Sequence, residues 1–346
     1  GKSYMMMVRS RIPGGQLTAD DLLAELDMCD EFGNGTLRIT SRQGLQLHGV
    51  LKDELKPTIQ AINNKTTLTT LGACGDVNRN VMCCPAPLRN NAVHDQMQEL
   101  SQKIAHHFRP HTTAYQEIWL QDSEGEKEKV AEFSPVEEPI YGECYLPRKF
   151  KIGIALPEDN CVDILTYDLG LLAIVENDEI VGYNVFVGGG QGVTPAAKKT
   201  YAAVGLKMTF VPADQAIPAT EAIIRCWSDN GNRLDRKQAR IKYLVREWGL
   251  EKFKAKVEEY YGSALPEPRA EDVHDVDDHM GWHEQGDGKL YLGINVENGR
   301  IKDDGDLQLK TGLRAILSQF KQTCRLTAMQ GLILCDVDPA DRDAID

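Results

Sequence analysis

Basic side chains in apolar or glycine-rich surroundings are the residues of this sequence whose types suggest chemistry. Arg9 lies at the end of an apolar run, Arg42 follows a predicted strand, and Arg79 lies in the polar segment CGDVNRN. Lys149 and Lys151 alternate in LPRKFKIGIALP, so an extended backbone would place them on one face. Arginines and lysines without neighbouring carboxylates bind small oxyanions or ligands with many carboxylates. We therefore predict an anion site, although each residue taken singly also suits a solvated surface.

Three further segments bear on this prediction. Gln46 and His48 alternate in the strand that follows Arg42, so they share one face. The run VGGGQGV at 187–193 could cradle an anion with its backbone N–H groups, or it could be a plain tight turn, and it matches no nucleotide-binding motif. For residues 229–245 we predict a capped helix with a basic face rather than direct ligand contact.

Composition limits the class of protein. The 346 residues include 52 acidic and 39 basic ones, which gives a net charge of −13 and a length suited to two or three domains. This acidity argues against nucleic-acid binding by a broad basic face, so an anionic ligand needs a local basic cluster. The sequence has no apolar run of about 18 residues, so we expect no membrane span.

The nine cysteines predict a reducing environment. Their number is odd and no signal peptide precedes them, which favours free thiols in a cytosol-like compartment. The sequence contains no Cys-x-x-Cys, and its eight histidines show no metal-ligand spacing with the cysteines. We therefore expect no metal ligands, and we interpret the adjacent Cys83 and Cys84 as small buried residues.

An internal repeat organises the chain. Residues 36–50 (TLRITSRQGLQLHGV) and 323–337 (TCRLTAMQGLILCDV) are identical at eight of fifteen positions, at a constant offset of 287. An apolar strand pattern and an amphipathic helix precede each copy, so each predicts strand, helix, strand, turn, strand. The first copy continues into a second helix and therefore has the order of a ferredoxin-like unit.

These patterns predict an α+β fold, in which two ferredoxin-like repeats flank a central mixed α/β domain. The central region combines strand patterns with helical patterns near 93–108, 214–228, 235–248 and 250–261, and its charged stretch 120–139 is predicted to be an exposed loop. The second copy stops about where its last helix would begin, which suggests a fragment of a longer protein. The predicted divisions are a first repeat at 1–66, a central domain at 67–265, a linker at 266–288 and a second repeat, truncated, at 289–346.

The ordered motifs RSRIPGG, TLRITSRQGLQLHGV, CGDVNRNVMC, YLPRKFKI, NVFVGGG, GNRLDRKQARIKYL and ENGRI resemble the sirohaem sulfite and nitrite reductases over essentially the whole chain. YMMMVRSR, PIYGECYLPRKFKI and CVDILTYDLG are most similar to ferredoxin-dependent assimilatory sulfite reductases. The resemblance implies that a central sirohaem-binding domain supports six-electron reduction of sulfite to sulfide, on sirohaem coupled to a 4Fe-4S cluster. It also implies ferredoxin as the electron donor, and a cytoplasmic location, or the plastid stroma for a plant or alga.

The resemblance also implies roles for particular residues. Arg9, Arg79, Lys149 and Lys151 correspond to the residues that hold the sulfur oxyanion, where cationic donors would both bind the anion and deliver protons. The positions expected to contact sirohaem or its eight carboxylates are Thr40, Arg42, Gln46, His48, Asn80, Arg148, Gly188, Gly189 and Gly190. Lys151 stands where related nitrite reductases usually have asparagine, which favours sulfite.

The cysteine spacing departs from this family, whose cluster ligands come as Cys-x5-Cys and Cys-x3-Cys beyond the second repeat. None of the nine cysteines here has that spacing, so we expect the cluster ligands to lie beyond residue 346 and the isolated chain to be inactive. A nitrite reductase of the same family and a non-catalytic tetrapyrrole-binding module remain the alternatives.

Overall fold

The computed structural model describes residues 4–111, 118–121, 127–131 and 138–346, the two short segments as backbone alone. Two related units of strands and helices flank a central unit, which confirms the predicted α+β class with ferredoxin-like repeats around a central domain. The similarity of the two flanking units follows from the sequence repeat, because similar patterns of apolar residues fold into similar local structures.

The first repeat supplies one face of the site described below. Its elements are β1 (Met5–Ser10), β2 (Gln16–Leu17), α1 (Ala19–Glu31), β3 (Leu37–Ile39), β4 (Leu45–Leu51) and α2 (Leu55–Lys65). Helix α1 begins at a capping box, in which the Asp21 N–H donates to Thr18 Oγ1 (3.0 Å) and the Thr18 N–H donates to Asp21 Oδ2 (3.1 Å). In β4 the buried Leu45 and Leu47 belong to the core that this helix also covers.

The central unit is built on a mixed five-stranded sheet. Its elements are β5 (Met82–Cys83), α3 (Val93–His107), β6 (Ile118–Gln121), β7 (Lys127–Ala131), β8 (Ile152–Ala155), β9 (Leu169–Glu176), β10 (Glu179–Val187), β11 (Leu206–Pro212), α4 (Ala216–Asn230), α5 (Ile241–Trp248) and α6 (Leu250–Tyr261). The strand order is β11-β10-β9-β8-β5, with β5, β8 and β9 parallel and the others antiparallel. Asn177 and Asp178, both at positive φ (53° and 63°), close the β9–β10 hairpin, as a tight two-residue turn requires.

The second repeat completes the chain. Its elements are β12 (Gly281–Glu284), β13 (Leu290–Ile294), β14 (Arg300–Ile301), β15 (Asp303–Asp304), β16 (Leu307–Gln308), α7 (Leu309–Phe320), β17 (Cys324–Leu326), β18 (Leu332–Val337) and α8 (Arg342–Ile345). Strands β17 and β18 lie at the same offset of 287 from β3 and β4, as the sequence repeat predicts.

The two repeats share one core and exchange strands. Strand β14 joins the first sheet (β1-β4-β3-β14), and β2 joins the second (β12-β13-β18-β17-β2). Helices α1 and α7 are joined by ion pairs from Lys310 and Arg314 to Asp30, with the Lys310 Nζ to Asp30 Oδ1 distance at 2.6 Å. One continuous apolar cluster includes Leu22 and Leu26 together with residues of α7, β17 and β18. The repeats therefore bury each other's apolar faces.

Two equivalent glutamines bond the repeats reciprocally. Gln43 donates from its side-chain amide to the Leu326 carbonyl (2.9 Å), and Gln330 donates to the Ile39 carbonyl (2.9 Å). Each donor and each acceptor lies 287 residues from its counterpart. Both glutamines have positive φ (50° and 65°), which turns the β3–β4 and β17–β18 connections back on themselves. The repeated Gln-Gly therefore marks a pseudo-two-fold contact.

Several sequence predictions were wrong in detail. The predicted loop 120–139 contains part of the β6–β7 hairpin, and its other residues, at 122–126 and 132–137, lie outside the described residues. Strand β12 lies inside the segment predicted to be a linker, because Gly281–Glu284 pairs with β13. The predicted helix at 235–248 begins only at Ile241. No helix among the described residues is long and apolar enough to cross a membrane.

Candidate anion and cofactor site

A cavity of about 350 Å³ lies where the first repeat meets the central unit and the second repeat's turn. Its lining comprises Arg9, Ser10, Arg38, Thr40, Ser41, Arg42, Gly44, Gln46, Ala73, Arg79, Asn80, Lys149, Lys151 and Gln330. Six of these side chains are cationic, and no carboxylate is among these lining residues. A cavity with this charge favours binding of an anion. Without an anion, the uncompensated cationic side chains repel one another.

Arg9 is held at the cavity by strand β4. With its amide oriented to suit both neighbours, Gln46 accepts from Arg9 Nε (3.0 Å) and donates to His48 Nε2 (2.9 Å). Arg9 Nη1 also lies 3.4 Å from the Ala73 carbonyl oxygen. Burial, with help from nearby arginines, lowers the pKa of His48, so its ring stays neutral and accepts this hydrogen bond. His48 itself does not line the cavity; it positions Gln46, which does.

Arg42 and Asn80 close the inner end of the cavity. Arg42 donates to the Asn80 carbonyl, and its guanidinium carbon lies 4.8 Å from the centre of the Tyr167 ring. Asn80 donates in return to the carbonyls of Ile12 (2.7 Å) and Arg42 (2.8 Å). Arg42 Nη1 and Asn80 Oδ1 are buried and lack partners among the described residues. A buried guanidinium nitrogen without an acceptor is costly, so it marks a place for an acceptor atom.

Lys149 and Lys151 line the cavity, and neither ammonium group donates a hydrogen bond to any described residue. Neither residue belongs to a strand, since β8 begins at Ile152, but both line the cavity as expected. Burial lowers the pKa of Lys151 to about 7, and repulsion by Arg42 and Arg240 contributes. Burial and the neighbouring arginines also lower the pKa of Lys149. Lys151 can therefore either hold or release a proton near neutral pH.

A buried ion pair anchors this wall of the cavity. Asp168, fully buried, accepts from Arg240 Nε (2.7 Å) and Nη2 (2.9 Å), and its Oδ2 also accepts from the Lys151 backbone N–H (2.9 Å). The predicted helix with a basic face over 229–245 was wrong around Arg240, because 231–240 is an irregular segment in which Arg236 is exposed and Arg240 turns inward to Asp168. The inward orientation of an arginine side chain in a loop depends on its carboxylate partner, which the local sequence does not show.

The glycine run does not form an anion cradle in this structure. The Gly188 and Gly190 N–H groups donate to the carbonyls of Asp168 (3.0 Å) and Ala203 (2.8 Å). The carbonyls instead face cations, since Lys242 Nζ donates to Gly190 at 2.9 Å. Gly188, Gly189 and Gly190 lie outside the cavity lining, so a sirohaem contact there stays a prediction.

Two other residues were expected at the site, Thr40 and Arg148, and two that were not expected, Arg38 and Gln330, line the cavity. Thr40 lines the cavity, but its Oγ1 accepts from the N–H groups of its own turn, whereas Arg148 lies outside the lining and pairs with Asp76 at 3.5 Å. Arg38 and Gln330 also line the cavity, although the sequence analysis assigned them no role. The repeat contained the signal for Gln330, because it is the equivalent of Gln43.

Beyond the cavity, four residues that are distant in sequence meet in the core, where Cys84, Asp159, Cys161 and His279 place possible ligand atoms within 4.8 Å of one another. These residues come from parts of the chain that lie far apart, so the spacing of cysteines and histidines in the sequence does not indicate that they meet. The group contains two thiols, whereas a 4Fe-4S cluster takes four, so by itself it does not match a cluster.

The fold and this cavity define a class of α+β proteins in which a cationic cavity lies between paired ferredoxin-like units and a central domain. The chain belongs to the nitrite and sulfite reductase family. Residues 74–265 match the family described as "Nitrite and sulphite reductase 4Fe-4S domain", and residues 1–65 and 283–346 match "Nitrite/Sulfite reductase ferredoxin-like half domain". The expectation that all cluster ligands lie beyond residue 346 is not confirmed, because the match named for the 4Fe-4S domain falls within the chain.

Curated proteins agree with this membership, and a solved structure agrees with the fold. The chain is 42% identical to "Sulfite reductase [ferredoxin]" of Synechococcus elongatus, over 100% of this chain and 57% of that protein. It is 45% identical to "Sulfite reductase [NADPH] hemoprotein beta-component" of Geobacillus thermodenitrificans, over 97% of this chain and 58% of that protein. The NirA protein of Mycobacterium tuberculosis shares the fold, with a TM-score of 0.75 at 22% identity over 99% of this chain and 55% of that one. The chain thus spans less than two thirds of the length of these relatives.

Proposed function

We propose that this chain binds sulfite and the carboxylate edge of sirohaem for the reduction of sulfite to sulfide. The observation that supports this most is the cavity itself, which gathers six cationic side chains without a carboxylate. The relatives named above as sulfite reductases agree with the choice of substrate. Sirohaem, when bound, supplies the iron at which six electrons reduce sulfite.

The residues fit such a macrocycle, because the unpartnered Arg42 Nη1 is a buried donor that needs an anionic acceptor. In the proposal, Arg9, Arg79, Lys149 and Lys151 hold the oxyanion. The residues expected to contact sirohaem or its carboxylates are Thr40, Arg42, Gln46, His48, Asn80, Arg148, Gly188, Gly189 and Gly190. Loss of each sulfite oxygen as water requires protons, and Lys151, whose pKa is about 7, can deliver one at neutral pH.

The proposal assigns none of this chain's residues to the 4Fe-4S cluster and derives no step from it. That the isolated chain is inactive stays a prediction, which an assay of iron and acid-labile sulfide, together with sulfite turnover, tests on the purified chain.

Binding of sulfite to the chain reconstituted with sirohaem tests the proposal. A cationic hydrogen bond to an anion is worth about 1.5–3 kcal/mol, so Arg79→Ala and Lys149→Ala should each weaken sulfite binding about 10- to 100-fold, followed by macrocycle absorption. Lys321→Ala, which removes an exposed lysine paired with Asp20, serves as the control and should change nothing. Unchanged affinity in both cavity variants would refute the proposal.

The substrate preference is proposed from Lys151. An ammonium group suits the doubly charged sulfite better than the singly charged nitrite, so Lys151→Asn should shift relative affinity toward nitrite. Titrating both anions into the reconstituted wild type and variant measures this shift. Equal losses for the two anions would overturn the assignment of the sulfite preference to Lys151.

The electron donor is proposed to be ferredoxin. The Synechococcus relative carries that donor in its name, whereas the Geobacillus relative is named for NADPH. Comparing reduced ferredoxin with an NADPH-linked flavoprotein in steady-state assays of the full-length protein decides between them. Faster reduction by the flavoprotein would overturn the ferredoxin assignment.

A further inference from the structure

Four buried side chains with metal-binding atoms meet in the core of the central unit. Cys84 directly follows β5, Asp159 and Cys161 lie in the connection after β8, and His279 comes just before β12. All four side chains are buried, and none of them lines the cationic cavity. The proposed function therefore assigns no role to these four residues.

The separations suit one small ion. Cys84 Sγ lies 2.8 Å from Asp159 Oδ2 and 3.7 Å from His279 Nε2, and that nitrogen lies 3.0 Å from the same carboxylate oxygen. Ligands about 2.0–2.3 Å from a tetrahedral zinc ion stand roughly 3.3–3.8 Å apart. The carboxylate oxygen needs to move outward by less than about 1 Å to make room for the ion.

The surroundings orient the ligand atoms. Asp159 uses Oδ1 to accept from the N–H groups of Cys161 (3.0 Å) and Asp277 (3.4 Å), which leaves Oδ2 facing the group. His279 presents Nε2 to the group while its buried Nδ1 lies 3.7 Å from Asp277 Oδ2. A carboxylate behind a ligating histidine is common at zinc sites, because it fixes the ring. His279 also has a positive φ of 56°, an uncommon backbone conformation that turns its ring inward.

We propose that Cys84, Asp159, Cys161 and His279 bind one Zn²⁺ ion as a structural site. Two thiolates, an imidazole and a carboxylate form a closed tetrahedral set that leaves no position for substrate. On binding, each cysteine loses its thiol proton and His279, charged in its ion pair with Asp159, loses the proton on Nε2; these three protons go to solvent, and the ion takes their places on the two sulfurs and the nitrogen. Without the ion, the same residues would form a buried His279–Asp159 ion pair beside two thiols.

The site would fasten the segment 262–280 to the central sheet. Hydrogen bonds already join this segment to the connection after β8, among them those from the His274 N–H to the Pro157 carbonyl (2.9 Å) and from the Asn160 N–H to the Asp275 carbonyl (3.1 Å). Zinc adds a cross-link next to these bonds. It would thereby fix the position from which β12 enters the second repeat's sheet.

Metal titration of the full chain tests the proposal. After chelation and dialysis, the chain should bind one equivalent of Zn²⁺, with a melting temperature raised on the order of 5 °C. Co²⁺ in its place should show the ligand-field bands of tetrahedral cobalt and thiolate charge-transfer absorption. Cys84→Ser and His279→Ala should each weaken binding by about 100-fold or more, because even residues behind metal ligands contribute 10- to 100-fold.

The neighbouring Cys83 provides the matched control. It is equally buried and adjacent in sequence, but it is not one of the four, so Cys83→Ser should keep full zinc binding and the cobalt spectrum. Circular dichroism confirms that each variant is folded. Failure of the folded wild type to bind zinc, or loss of binding in Cys83→Ser equal to that in Cys84→Ser, would overturn the site in favour of the ion pair. None of these measurements depends on sirohaem or on sulfite reduction.

Discussion

Raising the pH should weaken anion binding through Lys151. Burial, together with repulsion by Arg42 and Arg240, lowers the pKa of this lysine to about 7, although Asp168 offsets part of the effect. An anion in the cavity favours the charged ammonium form, so its binding must raise this pKa and take up a proton. Sulfate is the suitable probe, because it stays doubly charged over the range in which sulfite itself titrates.

The size of the effect follows from the pKa. With a value of about 7, Lys151 is roughly 90% protonated at about pH 6 and roughly 10% at about pH 8. If the anion binds the protonated form, the apparent dissociation constant rises about tenfold across this interval. Binding at about pH 8 should then take up about 0.9 proton per anion.

Titration calorimetry measures both quantities when it is repeated in buffers of different ionisation enthalpy. Lys151→Met should bind sulfate weakly at both pH values, without proton uptake. Lys207→Met, which removes a lysine paired with Asp272 outside the cavity, should behave as the wild type does. Equal affinity of the wild type at both pH values, or a tenfold change that persists in Lys151→Met, would refute the reasoning.

Three stability predictions follow, each measured by urea unfolding. Gln43→Ala should cost about 3 kcal/mol, because it strands several buried backbone groups, whereas Gln330→Ala, at the more exposed equivalent position, should cost about 1 kcal/mol; equal losses would contradict this difference. Burial raises the pKa of Glu25 to about 7, above its usual 4.5, so the folded state keeps a proton that the unfolded state loses. Stability should therefore fall by up to about 3 kcal/mol as the pH rises from about 4.5 to above 7, and Glu25→Gln should abolish that slope. Asp168→Asn should cost about 3–5 kcal/mol by stranding a buried guanidinium, against about 1 kcal/mol or less for Asp76→Asn, whose arginine partners are more exposed; the reverse order would contradict the burial argument.

The sequence predicted the parts of the fold that depend on local pattern. The helices at 19–31, 93–107 and 250–261 follow apolar periodicity. The helix predicted around Arg240 was wrong. The conformation of this segment depends on a buried ion pair with Asp168, 72 residues away, and not on its own helical pattern.

At the candidate site, too, the sequence predicted some features and only the structure showed the others. Arg9, Arg42, Arg79, Lys149 and Lys151 could be chosen from the sequence, because basic residues in apolar or glycine-rich settings are rare unless they bind something. The structure added that these five meet in one cavity without a carboxylate. It also showed that backbone carbonyls accept from the N–H groups of Gly188 and Gly190, which residue types alone could not reveal.

By itself, the sequence determined the repeat, the α+β class and the residue types available for anion binding, since each of these is encoded over short distances along the chain. Only the tertiary structure decided that β2 and β14 are exchanged between the repeats, and that Cys84 meets His279. These contacts join segments far apart in the chain. Long-range contacts arise from burying apolar faces against each other, and no local pattern specifies which faces will meet.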